Sequence, residues 1–292
     1  MKKLGYLLIL LLGFVSCKPM GHKEGKPTLM VTIEPLRFFT EALAGDQYEV
    51  ISMVPRGMNP EIYDPTPQQM IDLNHCKAYF RIGYIGFEQV WMDKLVDNVP
   101  HLKVYDTSEG VRLICGEGHH HEDHELETHH HHHGGVEPHI WNSTFNAEVI
   151  AENIYSALCE MDGESQPVYQ HRLDSLKQII AQTDSCIRES LNQGDNAFLI
   201  YHPALTYYAN DYNLKQICIE DGGKEPSPRR LKELMDSCQQ YGVNVLFLQK
   251  EFSMDNALLV ANELGLRIVP INPLSYQWQN EMEKVARTLK EH

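Results

Sequence analysis

The chain has 292 residues, which is long enough for two lobes that each bury a core of their own. Its formal net charge at pH 7 is −15, with 16 histidines counted as neutral. So acidic a chain is unsuited to binding nucleic acid or anionic lipid through charge, and it is suited to attracting cations.

The first residues predict an exported protein. Two lysines precede an apolar run over 4–15, which is too short to span a bilayer as a mature helix and is typical of a secretory signal. The run ends at Ser16-Cys17, where a small residue before a cysteine resembles a bacterial lipobox. We therefore expect 1–27 to be a signal peptide and tether, with Cys17 lipidated and the protein anchored in the periplasm or on the extracytoplasmic face.

From residue 28 the chain alternates short, apolar, β-rich runs with helical stretches. The predicted strands cover 29–33, 48–54, 78–82 and 102–105, and the predicted helices cover 35–44, 67–75 and 88–97. Strands separated by single helices indicate crossover connections and a largely parallel sheet. Such sheets bind ligands beyond the carboxyl ends of their strands, so the loops that follow the strands are the places to look for donor atoms.

The second predicted strand is followed by a stiff loop, VPRGMNPEIYDPTP, with four prolines and a glycine. Its tip carries oxygen donors on Glu61, Tyr63 and Asp64. A loop of fixed shape that carries a carboxylate suits a preorganised ligand site. From spacing alone, a rigid turn with solvated acids is an equal alternative.

The fourth predicted strand is followed by a histidine-rich tract, for which we expect a loop over 116–135. Between His119 and His133 it holds nine histidines and four carboxylates, and Leu126 is its one apolar residue. The histidines are His119, His120, His121, His124, His129, His130, His131, His132 and His133. Burying so little apolar surface cannot offset the conformational entropy that the tract would lose on ordering. We therefore expect a mobile loop that binds divalent metal. The alternative is a solvated insertion with incidental metal affinity.

His139 lies just beyond this tract, between Pro138 and an apolar Ile-Trp pair, and is expected to be a fixed ligand.

A helix capped by Asn142-Ser143 follows. Apolar or small residues then recur every three or four positions over 165–193, which predicts one helix of about 45 Å that joins two lobes. Cys186 lies on this helix, and we expect it to be a small buried residue.

The second lobe repeats the alternation. Its predicted strands cover 197–201, 215–220, 243–249 and 267–271, and its predicted helices cover 204–212, 229–241, 254–264 and 276–290. The predicted fold class is α/β, with two similar lobes that each hold a largely parallel four-stranded sheet flanked by helices, joined by one long rigid helix. The expected boundaries are 28–163 for the first lobe, 164–194 for the linking helix and 195–292 for the second lobe.

Four candidate donors lie on separate loops after strands, two in each lobe. They are Glu61, His139, His202 and Asn272. If the lobes face one another, these groups can enclose one metal ion. Two imidazoles, a carboxylate and a fourth donor suit zinc, with manganese or iron as alternatives. A single histidine is more often an ordinary polar residue, so this expectation depends on the shared position of the two histidines at strand ends.

Several motifs together resemble one known family. VPRGMNPEIYDPTP, VEPHIWNST, IYHPALTYYANDYNL, DGGKEPSPRRLKEL and IVPINPL look like segments of the metal-binding substrate proteins of bacterial zinc and manganese ABC importers. The resemblance covers about 28–290 and includes a histidine-rich insertion where zinc-specific members carry one. It implies two α/β lobes joined by a long helix, a metal bound between them, and delivery to a membrane permease driven by an ATPase.

The resemblance also implies a ligand set. The family's Pro-His-x-Trp histidine falls on His139, and its histidine after the first strand of the second lobe falls on His202. Its first histidine falls on Glu61 and its last ligand, an aspartate, falls on Asn272. Relative to the family's ligand set, this chain loses one aspartate and gains one glutamate. One anionic ligand therefore remains, and the formal charge of the ligand set is unchanged. Glu34, just after the first strand, is a substitute candidate.

We therefore expect a monomeric zinc-binding substrate protein of an ABC importer, with Mn²⁺ as the less favoured cargo because manganese selects oxygen ligands. One alternative is a surface metal buffer or adhesin that acts through the histidine-rich loop. A second is a secreted zinc hydrolase, because two histidines, a glutamate and an open position also describe a catalytic metal centre. The chain has no HExxH motif, so we expect it not to be an enzyme.

Overall fold

The computed structural model describes residues 25–115, 135–220, 227–252 and 254–291. The predicted leader with Cys17 and the nine histidines of the predicted loop lie outside these ranges. Within the ranges, none of the helices has the length and apolar character needed to cross a membrane.

The first lobe is built on a four-stranded parallel sheet. Its strands are β1 (Thr28–Val31), β2 (Glu49–Ser52), β3 (Cys76–Arg81) and β4 (Lys103–Asp106), in the order β2-β1-β3-β4. Its helices are α1 (Glu34–Ala44), α2 (Pro67–Asn74), α3 (Gly86–Asn98) and α4 (Thr144–Met161). β1 lies in the middle of the sheet, where Leu29, Met30 and Val31 are all at most 1% exposed.

The second lobe repeats this arrangement. Its strands are β5 (Ala197–Ile200), β6 (Lys215–Cys218), β7 (Val245–Gln249) and β8 (Arg267–Ile271), all parallel, in the order β6-β5-β7-β8. Its helices are α6 (Thr206–Asp211), α7 (Pro228–Gln240), α8 (Met254–Leu264) and α9 (Trp278–Lys290). The shared strand order confirms the prediction of two similar α/β lobes.

One long helix, α5 (Gln166–Leu191), connects the lobes. Its 26 residues correspond to about 39 Å, slightly shorter than predicted because the helix ends at Leu191, before Gly194. A Cβ at Gly194 would lie 2.9 Å from the carbonyl oxygen of Leu289 on α9, so close packing requires glycine there. Cys186 is exposed, and its predicted burial is wrong because the buried stripe passes beside it through Thr183 and Ile187.

The two lobes are joined behind their facing edges by buried indoles. Trp141 donates its indole N–H to the carbonyl oxygen of Pro273 at 2.8 Å, and Trp278 donates to the carbonyl oxygen of Trp141 at 2.7 Å. Both indoles are at most 2% exposed. Each bond crosses from one lobe to the other, because Trp141 precedes α4 while Pro273 and Trp278 follow β8. One continuous hydrophobic cluster therefore spans both lobes, and the second lobe has a further cluster of its own.

Candidate metal centre

The carboxyl ends of the strands in both lobes face a small cavity of about 20 Å³. The first lobe contributes Glu61, from the proline-rich loop after β2, and His139, which precedes a short 3₁₀ turn at Ile140–Asn142. The second lobe contributes His202, two residues after β5. Three of the four predicted donors therefore line one cavity between the lobes, as expected for loops at the carboxyl edges of parallel sheets.

The two imidazoles face each other through their outer nitrogens. Nε2 of His139 lies 3.3 Å from Nε2 of His202. Each inner nitrogen is bound by a glutamate, Nδ1 of His139 by Glu137 and Nδ1 of His202 by Glu220. Because a ring N–H that donates to a carboxylate fixes the tautomer, both Nε2 lone pairs point into the cavity. Two facing lone pairs repel each other unless a proton or a metal cation lies between them.

The surrounding carboxylates favour positive charge at this pair. Burial by itself would lower the pKa of His139, but the carboxylates of Glu137, Glu61 and Glu220 outweigh it and raise that pKa above its ordinary value. Burial would likewise raise the pKa of Glu137, but His139 and His202 hold it below its ordinary value. The same field that favours a proton on His139 would stabilise a bound cation.

Glu61 offers a carboxylate oxygen to the cavity. Its Oε2 accepts a hydrogen bond from the backbone N–H of Gly86 at 3.0 Å, which fixes the side chain. Its Oε1 is buried and has no hydrogen-bond partner within the described part of the chain. An unsatisfied buried oxygen is costly, and a cation would satisfy it. The orphaned oxygen and the two imidazole lone pairs are therefore donors of the types that a metal ion such as zinc accepts.

The fourth predicted donor, Asn272, does not line the cavity. Its Oδ1 accepts a hydrogen bond from the backbone N–H of Leu274 at 3.2 Å, and its own backbone N–H donates to Glu281 at 3.0 Å. Its neighbours Pro273 and Leu274 do form part of the wall. The side chain of Asn272 stabilises the turn after β8.

Other predicted donors make hydrogen bonds within the first lobe. Glu34 accepts hydrogen bonds from Ser52 at 2.7 Å and Arg56 at 2.8 Å, and it lies outside the cavity, so it does not replace a missing ligand. In the proline-rich loop, Tyr63 donates to Gln69 and Asp64 accepts from the indole of Trp91. Of the three donors predicted in that loop, Glu61 is the one that lines the cavity.

Sequence reasoning missed several residues of the site. Glu137 and Glu220 were not singled out, although Glu137 stands two positions before His139. Gln249 and Glu251 line the cavity from the end of β7 and the loop after it. Because β7 is the central partner of β5, the rule that donors follow strands could have pointed to Glu251.

The candidate donors lie near one another but not within bonding range of one common ion. Over the described ranges, no three His, Cys, Asp or Glu side chains stand close enough together to hold an ion. The cavity has a pair of imidazoles with carboxylates nearby. These side chains must move closer together before they can bind one ion.

The fold and this site together define a two-lobed α/β substrate-binding protein with a candidate metal site between its lobes. The family model for ZnuA, described as the periplasmic component A of the zinc-uptake complex, matches residues 29–292. The chain belongs to this family, which confirms the resemblance seen in its motifs.

Individual relatives agree with this assignment. The chain is 26% identical over 320 residues to the zinc-binding lipoprotein AdcA of Streptococcus pneumoniae strain R6, a match that covers 100% of this chain and 61% of AdcA. The high-affinity zinc uptake system protein ZnuA of Bacillus subtilis strain 168 is 24% identical, with 96% of this chain and 88% of that protein covered. A crystal structure of ZnuA has a TM-score of 0.82 and 29% identity, covering 91% of this chain and 98% of its own.

Proposed function

We propose that this chain is an extracytoplasmic substrate-binding protein that captures one zinc ion between its lobes and delivers it to the permease of an ABC importer. The observation that carries the proposal is the pair of imidazole Nε2 atoms 3.3 Å apart, one from each lobe. The orphaned Oε1 of Glu61 on the same cavity adds a third donor. The names of the relatives, a zinc-binding lipoprotein and a zinc uptake protein, support zinc as the cargo.

The donor chemistry also supports zinc over manganese. Imidazole nitrogen suits zinc, whereas manganese is better matched by oxygen ligands. Each imidazole is backed by a carboxylate, an arrangement that raises the basicity of a metal-binding histidine. We propose manganese as a weaker alternative cargo.

We propose the remaining organisation of the protein from its sequence. Residues 1–27 are a leader and tether with a lipid on Cys17, and the lobes span 28–163 and 195–292 around a linking helix at 164–194. The mature protein acts as a monomer, anchored to the membrane, with a permease and its ATPase as partners. The histidine-rich loop raises the local concentration of metal near the cavity. The protein is a transport component and not an enzyme.

The test is calorimetric titration of zinc and of manganese into the metal-stripped protein. A variant with Glu61→Ala, His139→Ala and His202→Ala serves as the comparison. We expect one tight zinc event and several weaker ones in the native chain, and only the weaker events in the variant. Identical titrations would show that the cavity binds no metal, and the protein would then be a metal buffer that acts through its histidine-rich loop.

The contribution of that loop is tested separately by deleting 118–134. We expect the deletion to keep the tight event and to abolish the weaker ones. Loss of the tight event would contradict the proposed division of roles between cavity and loop. A turnover assay of the zinc-loaded protein on ester, peptide and phosphate substrates is expected to show no hydrolysis, and measurable turnover would favour the hydrolase.

A further inference from the structure

The second lobe has few donor atoms to spare at the cavity. Besides His202, its polar wall residues in the described ranges are Gln249 and Glu251. Gln249 is already engaged with the backbone of His202, because its Oε1 accepts from that residue's N–H at 3.3 Å and its Nε2 donates to the carbonyl oxygen at 2.6 Å. Gln249 therefore positions His202, and Glu251 is the carboxylate that the second lobe presents.

The position of Glu251 is tied to that of His202. Glu251 lies two residues beyond the end of β7 and is half-buried in the cavity wall. The next residue, Phe252, stacks its ring on the imidazole of His202, with centroids 5.0 Å apart and planes inclined by 18°. This stacking holds the start of the loop against one of the two metal-binding imidazoles.

We propose that Glu251 is the fourth ligand of the captured ion and supplies the donor that Asn272 was expected to supply. The proposal rests on the proposed function, because it assigns a ligand within the same site. Glu61 then brings a carboxylate from the first lobe and Glu251 brings one from the second. Each lobe contributes one imidazole and one carboxylate.

The chemistry of the ion favours this set over one that includes Asn272. Structural zinc sites are closed by four ligands, and a carboxylate is a stronger donor to a dipositive ion than a neutral amide. Two carboxylates also balance the two positive charges of the ion in a buried cavity, where uncompensated charge is costly.

The environment of Asn272 disfavours a carboxylate at that position. Its backbone N–H donates to Oε2 of Glu281 at 3.0 Å, so an aspartate at 272 would place a second negative charge beside Glu281. Like charges so close disfavour ionisation of both groups. The amide avoids that repulsion and keeps the hydrogen bond that fixes the turn.

The experiment compares Glu251→Ala with Asn272→Ala in the full chain. A matched control is Glu263→Ala, which removes one exposed carboxylate from α8 without touching the cavity. Zinc affinity is measured by competition with a chromogenic chelator. The visible absorption of the Co²⁺-loaded protein reports the number and geometry of the metal ligands, and thermal unfolding of the metal-free variants reports folding.

We expect Glu251→Ala to weaken zinc binding by about 100-fold or more, since even residues that only orient a ligand typically contribute 10–100-fold. Its Co²⁺ spectrum should change, and its metal-free unfolding temperature should stay near that of the native chain. Asn272→Ala and Glu263→Ala should keep the native spectrum and bind zinc within about threefold of the native chain, because neither removes a ligand.

A native affinity and spectrum in Glu251→Ala would overturn the assignment of Glu251 while leaving the cavity as the zinc site. A weakened Asn272→Ala with an altered spectrum, beside an unaffected Glu251→Ala, would reassign the fourth ligand to Asn272. If the native chain itself bound zinc no better than the variant that lacks Glu61, His139 and His202, the proposed function would fail first.

Discussion

At the scale of single residues, the glutamates behind the two imidazoles decide how well those rings can bind a metal. Glu137 and Glu220 accept the Nδ1–H of His139 and His202, which leaves each Nε2 free to donate to an ion. A glutamine in either place keeps the shape but loses the negative charge that makes the ring more basic. We therefore expect Glu137→Gln and Glu220→Gln each to weaken zinc binding by about 10–100-fold in a competition titration.

Glu109→Gln is the control for this prediction, because Glu109 is exposed and lies outside the cavity. It removes the same charge from the first lobe. Equal affinity in all three variants would show that the carboxylates do not tune the imidazoles.

Gly86 has a steric role in placing Glu61. A Cβ at this position would lie 2.4 Å from the carbonyl oxygen of Glu61 and 2.9 Å from its Oε2. Gly86→Ala must therefore push the loop of Glu61 away from α3. We expect it to lower zinc affinity and to destabilise the fold by about 1–3 kcal/mol, as overpacking generally does.

Gly163→Ala is the matched control, because a Cβ there would meet nothing within 4 Å. Zinc titration and chemical unfolding of both variants test the prediction. A Gly86→Ala protein that binds and unfolds like the Gly163→Ala protein would contradict the steric role.

The site residues that could be predicted from the sequence are those whose place follows from chain order alone. His202 directly follows an apolar strand, and His139 stands between Pro138 and Trp141, so the sequence pattern is enough to place both at a sheet edge. The same pattern places Asn272 at an edge but does not give the direction of its side chain. Glu137 and Glu220 were missed because their role depends on a contact with a ring, which strand periodicity does not encode.

At the scale of elements, the first turn of α3 carries a buried acid that links stability to pH. Glu88 is 2% exposed and accepts a hydrogen bond from the backbone N–H of Ile82 at 2.8 Å, among others. Burial raises its pKa to about 7. The folded chain therefore keeps this proton to a higher pH than the unfolded chain does.

The sign of the effect follows from this difference. Between about pH 4.5 and 7 the folded state binds more protons at Glu88, so the residue's contribution to the free energy of unfolding falls as pH rises, by about 3 kcal/mol over the window. Glu88→Gln should remove that part of the slope in urea unfolding measured from pH 4.5 to 8. The exposed Glu189→Gln on α5 should leave the slope unchanged, and a variant at Glu88 with the native slope would contradict the prediction.

The elements themselves were largely predictable because their patterns are local. The three-and-four spacing along α5 and the apolar runs of β1 and β5 reflect burial on one face and on both faces, respectively. Boundaries were less accurate. The strand predicted over 48–54 covers only Glu49–Ser52. The helix predicted from residue 276 begins at Trp278, because the backbone N–H of Gln277 donates to the hydroxyl of Ser275 at 3.1 Å.

At the scale of the whole molecule, the shared core predicts that both lobes unfold together. Leu29 of the first sheet, Tyr169 of α5 and Phe198 of the second sheet belong to one continuous cluster of buried residues. We expect a single calorimetric transition whose calorimetric and van't Hoff enthalpies agree. Two resolved transitions would show that the lobes are independent units.

Zinc should stabilise this unit because the proposed site takes donors from both lobes of the folded chain. At a free concentration of 100 times the dissociation constant, a single site adds about 2.7 kcal/mol to the free energy of unfolding. The variant without Glu61, His139 and His202 is the control and should gain far less. Equal stabilisation of both proteins would place the bound zinc outside the cavity.

The indoles of Trp141 and Trp278 also bear on how long an ion stays bound. Their hydrogen bonds tie the two lobes together behind the cavity, so we expect the lobes not to swing apart when an ion leaves. The parts left to move are the side chains that line the cavity. Side chains change rotamer much faster than whole lobes rearrange. The residence time should therefore follow the breaking of ligand bonds, and chelator-driven release should be independent of solvent viscosity.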